Sequence, residues 1–442
     1  MKPALTALSA AAILATLGGC GIFGSNGPKG TPTVGTRIPV LTAEAAVEAD
    51  PELADVPVTL PPAEVNADWA QGGGSASKSM GHVALGTAPA AAWSVGIGQG
   101  SSQNARLAAA PVVGGGRVYT IDSQAVIRAF NPDNGSVVWQ HQLTSAQASG
   151  RTHFGGGVSF DGGRVYAVNG AGDAAALDAA TGAVVWQVRP GGPLRGAPTV
   201  AADTVYVVSQ DNQLYALNVA NGEQRWTRSG AAEASGVFGV ASPAFAQSTV
   251  VAGYSSGELA AYRYENGQEV WSDALTRTSV TTSVSALSDI DADPVIDHGR
   301  VFAIGQGGRM VAVELNTGQR LWELNVAGIA TPWVAGDWVF VVTEQAQLLA
   351  IARASGRVRW ISQLQRWRNA EDRRGPITWR GPVLAGGRLV LVSSLGHIVF
   401  ASPADGSVQA TVNGRAPISL PPVVANNTLY ILDDNGRLTA YR

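Results

Sequence analysis

The sequence predicts an all-β protein: an eight-bladed β-propeller of four-stranded antiparallel blades, its ring closed by the N- and C-terminal strands. Three observations predict it. One short phrase returns six times, a β-branched and aromatic run precedes each return, and the chain ends carry complementary parts of one more blade. Repeats of this size mark stacked supersecondary units, because one such unit cannot bury its faces alone.

The phrase first reads Ala129-Phe130-Asn131-Pro132-Asp133-Asn134-Gly135-Ser136-Val137-Val138-Trp139. It returns at Ala176 to Trp186, Ala216 to Trp226, Ala261 to Trp271, Ala312 to Trp322 and Ala350 to Trp360. The runs ahead of it include Gly116 to Ile121, Gly163 to Val168 and Asp203 to Val208, each a turn residue followed by a strand pattern. The phrase supplies a third strand, a turn whose Gly permits a positive φ, and a fourth strand ending in Trp. Trp139, Trp186, Trp226, Trp271, Trp322 and Trp360 are therefore expected to wedge between blades, each burying roughly 150–250 Å2.

Six such units, a degenerate seventh and a shared eighth complete the ring. The seventh runs from Arg388 through Asp405-Gly406 and has Ala410 where Trp is expected. The eighth combines Ala91 to Val95, a lone fourth strand, with three strands at Pro422–Val424, Leu429–Leu432 and Leu438–Tyr441. Closure of this kind removes exposed sheet edges. Composition agrees: 54 glycines among 442 residues, only 14% charged residues and few helix-forming runs. The net charge of −3 offers no basic surface for nucleic acid.

The N-terminus is a targeting segment. Lys2 precedes an apolar stretch from Ala4 to Leu17, too short to span a bilayer comfortably, and Leu17-Gly18-Gly19-Cys20 follows. Small residues before a lone Cys resemble a bacterial lipoprotein signal, which implies cleavage before Cys20 and acylation of that residue. Gly21, not Asp, follows, and by resemblance to enterobacterial lipoprotein sorting this implies the outer membrane over the inner one. Cys20 is the single cysteine, so no disulfide forms within the chain. The expected organisation is a signal peptide over 1–19, an acylated Cys and flexible tether over 20–65 with a short helical turn near Ala43–Glu48, and the propeller over 66–442.

Three connections are long: Ala231 to Val240, Leu275 to Asp293, and Gln365 to Arg380 with Arg366, Arg368, Arg373 and Arg374. Long loops on a rigid scaffold are where binding usually resides. No catalytic constellation emerges. His82, His141, His153, His298 and His397 show no metal-ligand spacing. Asp289, Asp291 and Asp293 alternate, yet the Gly and distal Glu of an EF-hand are absent, and no metal or cofactor is expected. In an extended segment Asp289 and Asp291 present their carboxylates side by side, either as solvated loop acids or as acids that bind a partner.

The pattern Ala-x-[Asp/Asn]-x-x-[Thr/Asn]-Gly-x-x-x-Trp resembles the docking repeat of pyrroloquinoline-quinone-like eight-bladed propellers. Quinoprotein dehydrogenases need calcium ligands and a catalytic carboxylate and, in many members, an adjacent cysteine pair; one cysteine excludes the pair. Together with the lipoprotein signal, the chain is similar to the BamB family of outer-membrane protein assembly factors. Leu287-Ser288-Asp289-Ile290-Asp291 resembles the family's Leu-Ser-Asp-Val-Asp segment, which implies that Asp289 and Asp291 contact BamA. A second family loop, Leu-Ser-Leu-Arg-Gly, is matched one blade earlier by Ser235-Gly236-Val237-Phe238-Gly239, with Phe238 in the place of Arg. Ser235, Val237 and Phe238 are thereby candidate contacts, and Leu194-Arg195-Gly196, one blade earlier still, is an alternative match. The resemblance implies a non-catalytic scaffold on the periplasmic face of the outer membrane. Its partners would be the POTRA domains of BamA, other subunits of the assembly complex and unfolded outer-membrane proteins. A quinone-dependent periplasmic dehydrogenase and a polysaccharide-binding propeller are the alternatives.

Overall fold

The structure, a computed structural model, describes residues 47–143, 154–231, 241–275 and 289–442. It is an eight-bladed propeller of four-stranded antiparallel sheets. Blade 1 comprises Val112–Gly114, Arg117–Ile121, Val126–Phe130 and Val137–Gln142, and blade 2 comprises Gly156–Asp161, Arg164–Asn169, Ala174–Asp178 and Val184–Val188. Blades 3 to 6 start at Thr199, Ala244, Val295 and Trp333 and end at Ser229, Ala274, Leu324 and Gln363. Blade 7 runs from Trp379 to Asn413. Blade 8 takes Val423–Ala425, Thr428–Leu432 and Arg437–Tyr441 from the C-terminus and Ala91–Gly96 from the N-terminal side, with Ser94 opposite Thr439. The first strands of blades 1, 6 and 8 are buried along their length, while the fourth strands of blades 1 to 5 set one buried Trp among exposed and half-buried residues.

Each Trp docks on the turn of the next blade. The Trp139 indole donates to the Ala179 carbonyl at 2.9 Å, and a Cβ on Gly182 would lie 2.6 Å from its ring. Trp186 does the same with Val219 and Gly222, Trp226 with Tyr264 and Gly267, Trp271 with Leu315 and Gly318, Trp322 with Arg353 and Gly356, and Trp360 with Pro403 and Gly406. The turn glycine is thus required twice, for its φ near +70° and for the closeness of the indole. Trp93 is a seventh member, donating to Pro132 at 2.7 Å and packing on Gly135. In most blades a second-strand aromatic tilts against the blade's own indole, as Tyr119 does on Trp139 at 5.9 Å.

Ala410 now has its reason. It sits opposite Phe400 at the Trp position of blade 7, and its neighbour is blade 8. There the third and fourth strands come from opposite chain ends, so no tight turn exists to receive an indole.

The first strands leave eight inner edges facing the axis. The segment from Asn66 to Val83 bonds to all eight in order. The Asn66 side chain donates to Val424, Trp69 exchanges backbone bonds with Val113, and Phe160 donates to Ala70. The Gln71 amide donates to the Val200 carbonyl at 2.8 Å and accepts from its N–H at 2.9 Å. Phe245 donates to Ala76, Ile296 to Ser77 and the Trp333 indole to Gly81, and Val83 donates to Leu384. This clasp buries Lys78, whose ammonium donates to Thr199 at 3.0 Å near the half-buried Asp293. Burial pushes the Lys78 amine down to about 8, with Asp293 opposing the shift.

Residues 47–65, expected within the tether, lie against blade 6 and, at Glu64, against His82 and Ala84 of the clasp. Asp50 donates its N–H to Val358 at 2.7 Å, its carboxylate pairs with Arg357, and Val58 and Leu60 pack on the core. A 3-10 turn forms at Pro51–Leu53, capped by the Asp50 side chain.

Trp226→Ala is expected to destabilise the protein by about 3–5 kcal/mol in urea unfolding, as other large core truncations do; an unchanged midpoint would show that the indole does not hold blade 3 to blade 4. Lys78 gives a pH signature. Below pH 8 its amine is charged in both states. Between about 8 and 10.5 the folded amine is neutral while the unfolded one keeps its proton, so stability rises with pH. The stability of wild type relative to Lys78→Met should therefore rise across that window, by on the order of 3 kcal/mol. A difference flat with pH would contradict the burial.

Candidate partner-docking site

Antiparallel order puts the blade-to-blade connections and the turns between second and third strands at one end of the ring. The clasp lies at the other, where Gly386 and Asn426 of first-to-second-strand turns bond to Val83 and Asn66. The open end carries the polar cluster. Arg195 lies in the connection from blade 2 to blade 3, where its N–H donates to Val208 and its carbonyl accepts from Gly156. Its Nη2 reaches both carboxylate oxygens of Asp289, at 2.9 and 3.1 Å, and stands 3.7 Å from Asp291. Gln306 donates to the other Asp291 oxygen at 3.0 Å. Asn212 continues the network, accepting from the Ser255 N–H and hydroxyl at 3.1 and 2.8 Å.

This is a desolvated cluster. Arg195 is 2% exposed, Asp289 1% and Asp291 8%. Burial pushes the Asp289 carboxyl above its usual range, and the Arg195 guanidinium opposes that shift. Asp291 also faces a cavity of about 580 Å3, lined in part by Trp69, Arg106, Trp333, Arg380 and Asp434. Burial lowers Arg380, whereas Asp291 and Asp434 favour its charged form.

The sequence expected the two aspartates side by side, and both flank one guanidinium. The reading of them as solvated loop acids is corrected: both are buried. Ser235, Val237 and Phe238 lie outside the described residues. The cation comes from Leu194-Arg195-Gly196, the alternative match that stood one blade too early in the sequence. The curvature of the ring brings that connection to the one before blade 5. Asp293, third of the alternating acids, turns instead to the clasp and accepts from the Ser242 N–H at 2.7 Å. Among the described residues, no group of three or more His, Cys, Asp and Glu side chains is placed to hold a metal.

Comparison with known proteins fits this architecture. The family model described as outer membrane protein assembly factor BamB matches residues 89–153 and 123–362, more than half of the chain. The chain belongs to the BamB family. The BamB of Yersinia pestis is 26% identical over 360 residues, covering 80% of this chain and 88% of that protein. The crystal structure of BamB from Moraxella catarrhalis superposes with a TM-score of 0.68 at 19% identity, covering 80% of this chain and 100% of that one. The quinohemoprotein alcohol dehydrogenase of Comamonas testosteroni shares the fold, with a TM-score of 0.67 at 14% identity over 86% of this chain and 81% of its own. The propeller therefore separates BamB from the dehydrogenases less sharply than the sequence does, and the named relatives are assembly factors.

Arg195→Met strands a buried carboxylate at Asp289 and is expected to cost about 3–5 kcal/mol. Adding Asp289→Leu should restore most of that loss in urea unfolding. Additive losses in the double variant would show that the pair is not coupled.

Proposed function

We propose that the protein is a non-catalytic scaffold lipoprotein of the outer-membrane β-barrel assembly complex. It binds the periplasmic POTRA domains of BamA and assists the folding and insertion of outer-membrane proteins. Its work is binding; no bond is made or broken. Membership of the BamB family supports this reading. The observation that carries it is the Arg195–Asp289–Asp291 cluster at the loop-bearing end of the ring. Because Asp289 is enclosed, its part is to fix the connection ahead of blade 5. Asp291, nearer the surface, and Ser235, Val237 and Phe238 of the preceding connection then meet BamA. An aromatic side chain is a good interface anchor, which is the part proposed for Phe238. Acylated Cys20 holds the chain in the outer membrane, with the propeller on the periplasmic side. Several acyl chains give stable anchoring where one does not.

The test is a detergent pull-down from native membranes with tagged wild type, Val237→Ala/Phe238→Ala, Asp291→Asn and Cys20→Ser. BamA should accompany the wild type and be depleted with the first two variants, while Cys20→Ser should appear in the soluble fraction. Absence of BamA from the wild-type eluate would overturn the reading.

A further inference from the structure

The connection from blade 6 to blade 7 builds a structure of its own. Trp367–Asn369 pairs with Arg374–Pro376 as a two-stranded hairpin outside the eight blades, with Asn369 opposite Arg374. The base is anchored in the ring. Ile377 donates to the Arg366 carbonyl at 2.9 Å, the Trp379 indole donates to Gln365 at 2.9 Å, and both Ile377 and Trp379 are buried. The tip is tied by Asn369, whose side chain accepts from the Asp372 N–H at 3.1 Å and donates to the Asp372 carboxylate at 3.0 Å. Arg373 takes a φ of +52° in that tip.

Its charges are dense: four arginines fall within the nine residues 366–374. Elsewhere several arginines pair with acids, as Arg128 does with Asp122, Arg195 with Asp289, Arg320 with Asp273, Arg353 with Asp297 and Arg357 with Asp50, and others bond to backbone carbonyls, as Arg164 does to Val219 and Arg359 to Val56. Arg366, Arg368, Arg373 and Arg374 are all exposed, and among the described residues none of the four forms an ion pair. A protein of net charge −3 thus holds four guanidinium groups without an ion pair on one ordered arm, against only Glu371 and Asp372. Guanidinium groups recognise carboxylates through paired hydrogen bonds, and a preorganised arm loses little entropy in doing so.

We propose that this hairpin is a second docking arm that engages an acidic surface of the same protein partner as the Arg195 cluster. The inference rests on the partner reading given above. Two features favour a protein over a membrane. The tip reads Asn369-Ala370-Glu371-Asp372, so it offers an anionic bilayer two carboxylates and no large apolar group. Trp367, the arm's large apolar residue, is half-buried beneath the Arg366 guanidinium at 5.0 Å from its ring. Continuity with the candidate site favours the shared partner. The hairpin occupies a blade-to-blade connection, so it stands at the open end of the ring. Four residues beyond its last strand residue, Arg380 lines the same cavity as Asp291.

The experiment measures binding of the full-length lipoprotein in detergent to purified BamA, at low and at high salt. The wild type is compared with Arg368→Glu/Arg373→Glu/Arg374→Glu and with the milder Arg368→Gln/Arg374→Gln. The reversal variant should bind about tenfold more weakly at low salt and converge with wild type at high salt, because exposed charges act mainly on encounter. The Gln variant should fall between them, at an unchanged melting temperature. If wild type binds and both variants match it, the arm is not a docking element, and the partner reading stands. If wild type does not bind, the partner reading fails and this inference with it. If the reversal variant keeps its BamA affinity but no longer sediments with phosphatidylglycerol vesicles, the occupant is a membrane and the inference is overturned.

Discussion

A ring of blades has an inner rim, and that rim is the constraint on which this structure depends. Each first strand has one neighbour in its own sheet and an open edge toward the axis. Unpaired backbone groups in so enclosed a place are costly. One segment, Asn66 to Val83, serves all eight edges. It does so with main-chain bonds, with the Asn66 and Gln71 amides, and with one indole borrowed from Trp333. Because it closes one end, access to the interior is left to the other. The buried charges follow from the same geometry. Lys78 rides inward on the clasp, and Asp293 on the connection to blade 5 is the acid it meets.

The rim also explains where the repeat breaks. Besides the apolar faces packed between blades, one indole meets one turn glycine, and that contact needs a tight turn in the receiving blade. Blade 8 is assembled from both chain ends and has no such turn, so the blade before it carries Ala410. The strand hydrogen bonds that close the ring, with Trp93 opposite Ala440, lie within blade 8 itself. A missing tryptophan that looks like decay in the repeat is the consequence of where the ring closes.

Legibility followed sequence distance. The blades were readable because each is local: alternating strands, a glycine turn and a tryptophan within some tens of residues. The shared eighth blade was readable because its two halves were each incomplete. The clasp was not, since Gln71, Ala76 and Ser77 follow no period and their partners lie far along the chain. Its polar, glycine-rich composition reads as a loop. The site was half legible. Alternation placed Asp289 and Asp291 together, but it could not say that they are buried, because the burying group arrives from a connection 94 residues away. The Leu194-Arg195-Gly196 triplet was visible; its register with blade 5 was not, because that register is set by the radius of the ring.

The burial of Arg195 and Asp289 bears on what the cluster is for. A desolvated ion pair adds little net stability over an apolar pair of the same shape, since removing two charges from water costs about as much as their attraction returns. Stability alone therefore does not explain it. What the pair supplies is geometry. Both Asp289 oxygens bind one guanidinium nitrogen, which fixes the connection ahead of blade 5 against the one ahead of blade 3. Gln306 fixes Asp291 from the adjacent blade. A partner that meets this end of the ring meets side chains whose positions are already set, and so loses little conformational entropy in binding them. Rigid acids beside the cavity and unpaired arginines on a tied hairpin are two forms of the same economy: the ordering is done when the chain folds, before any partner arrives.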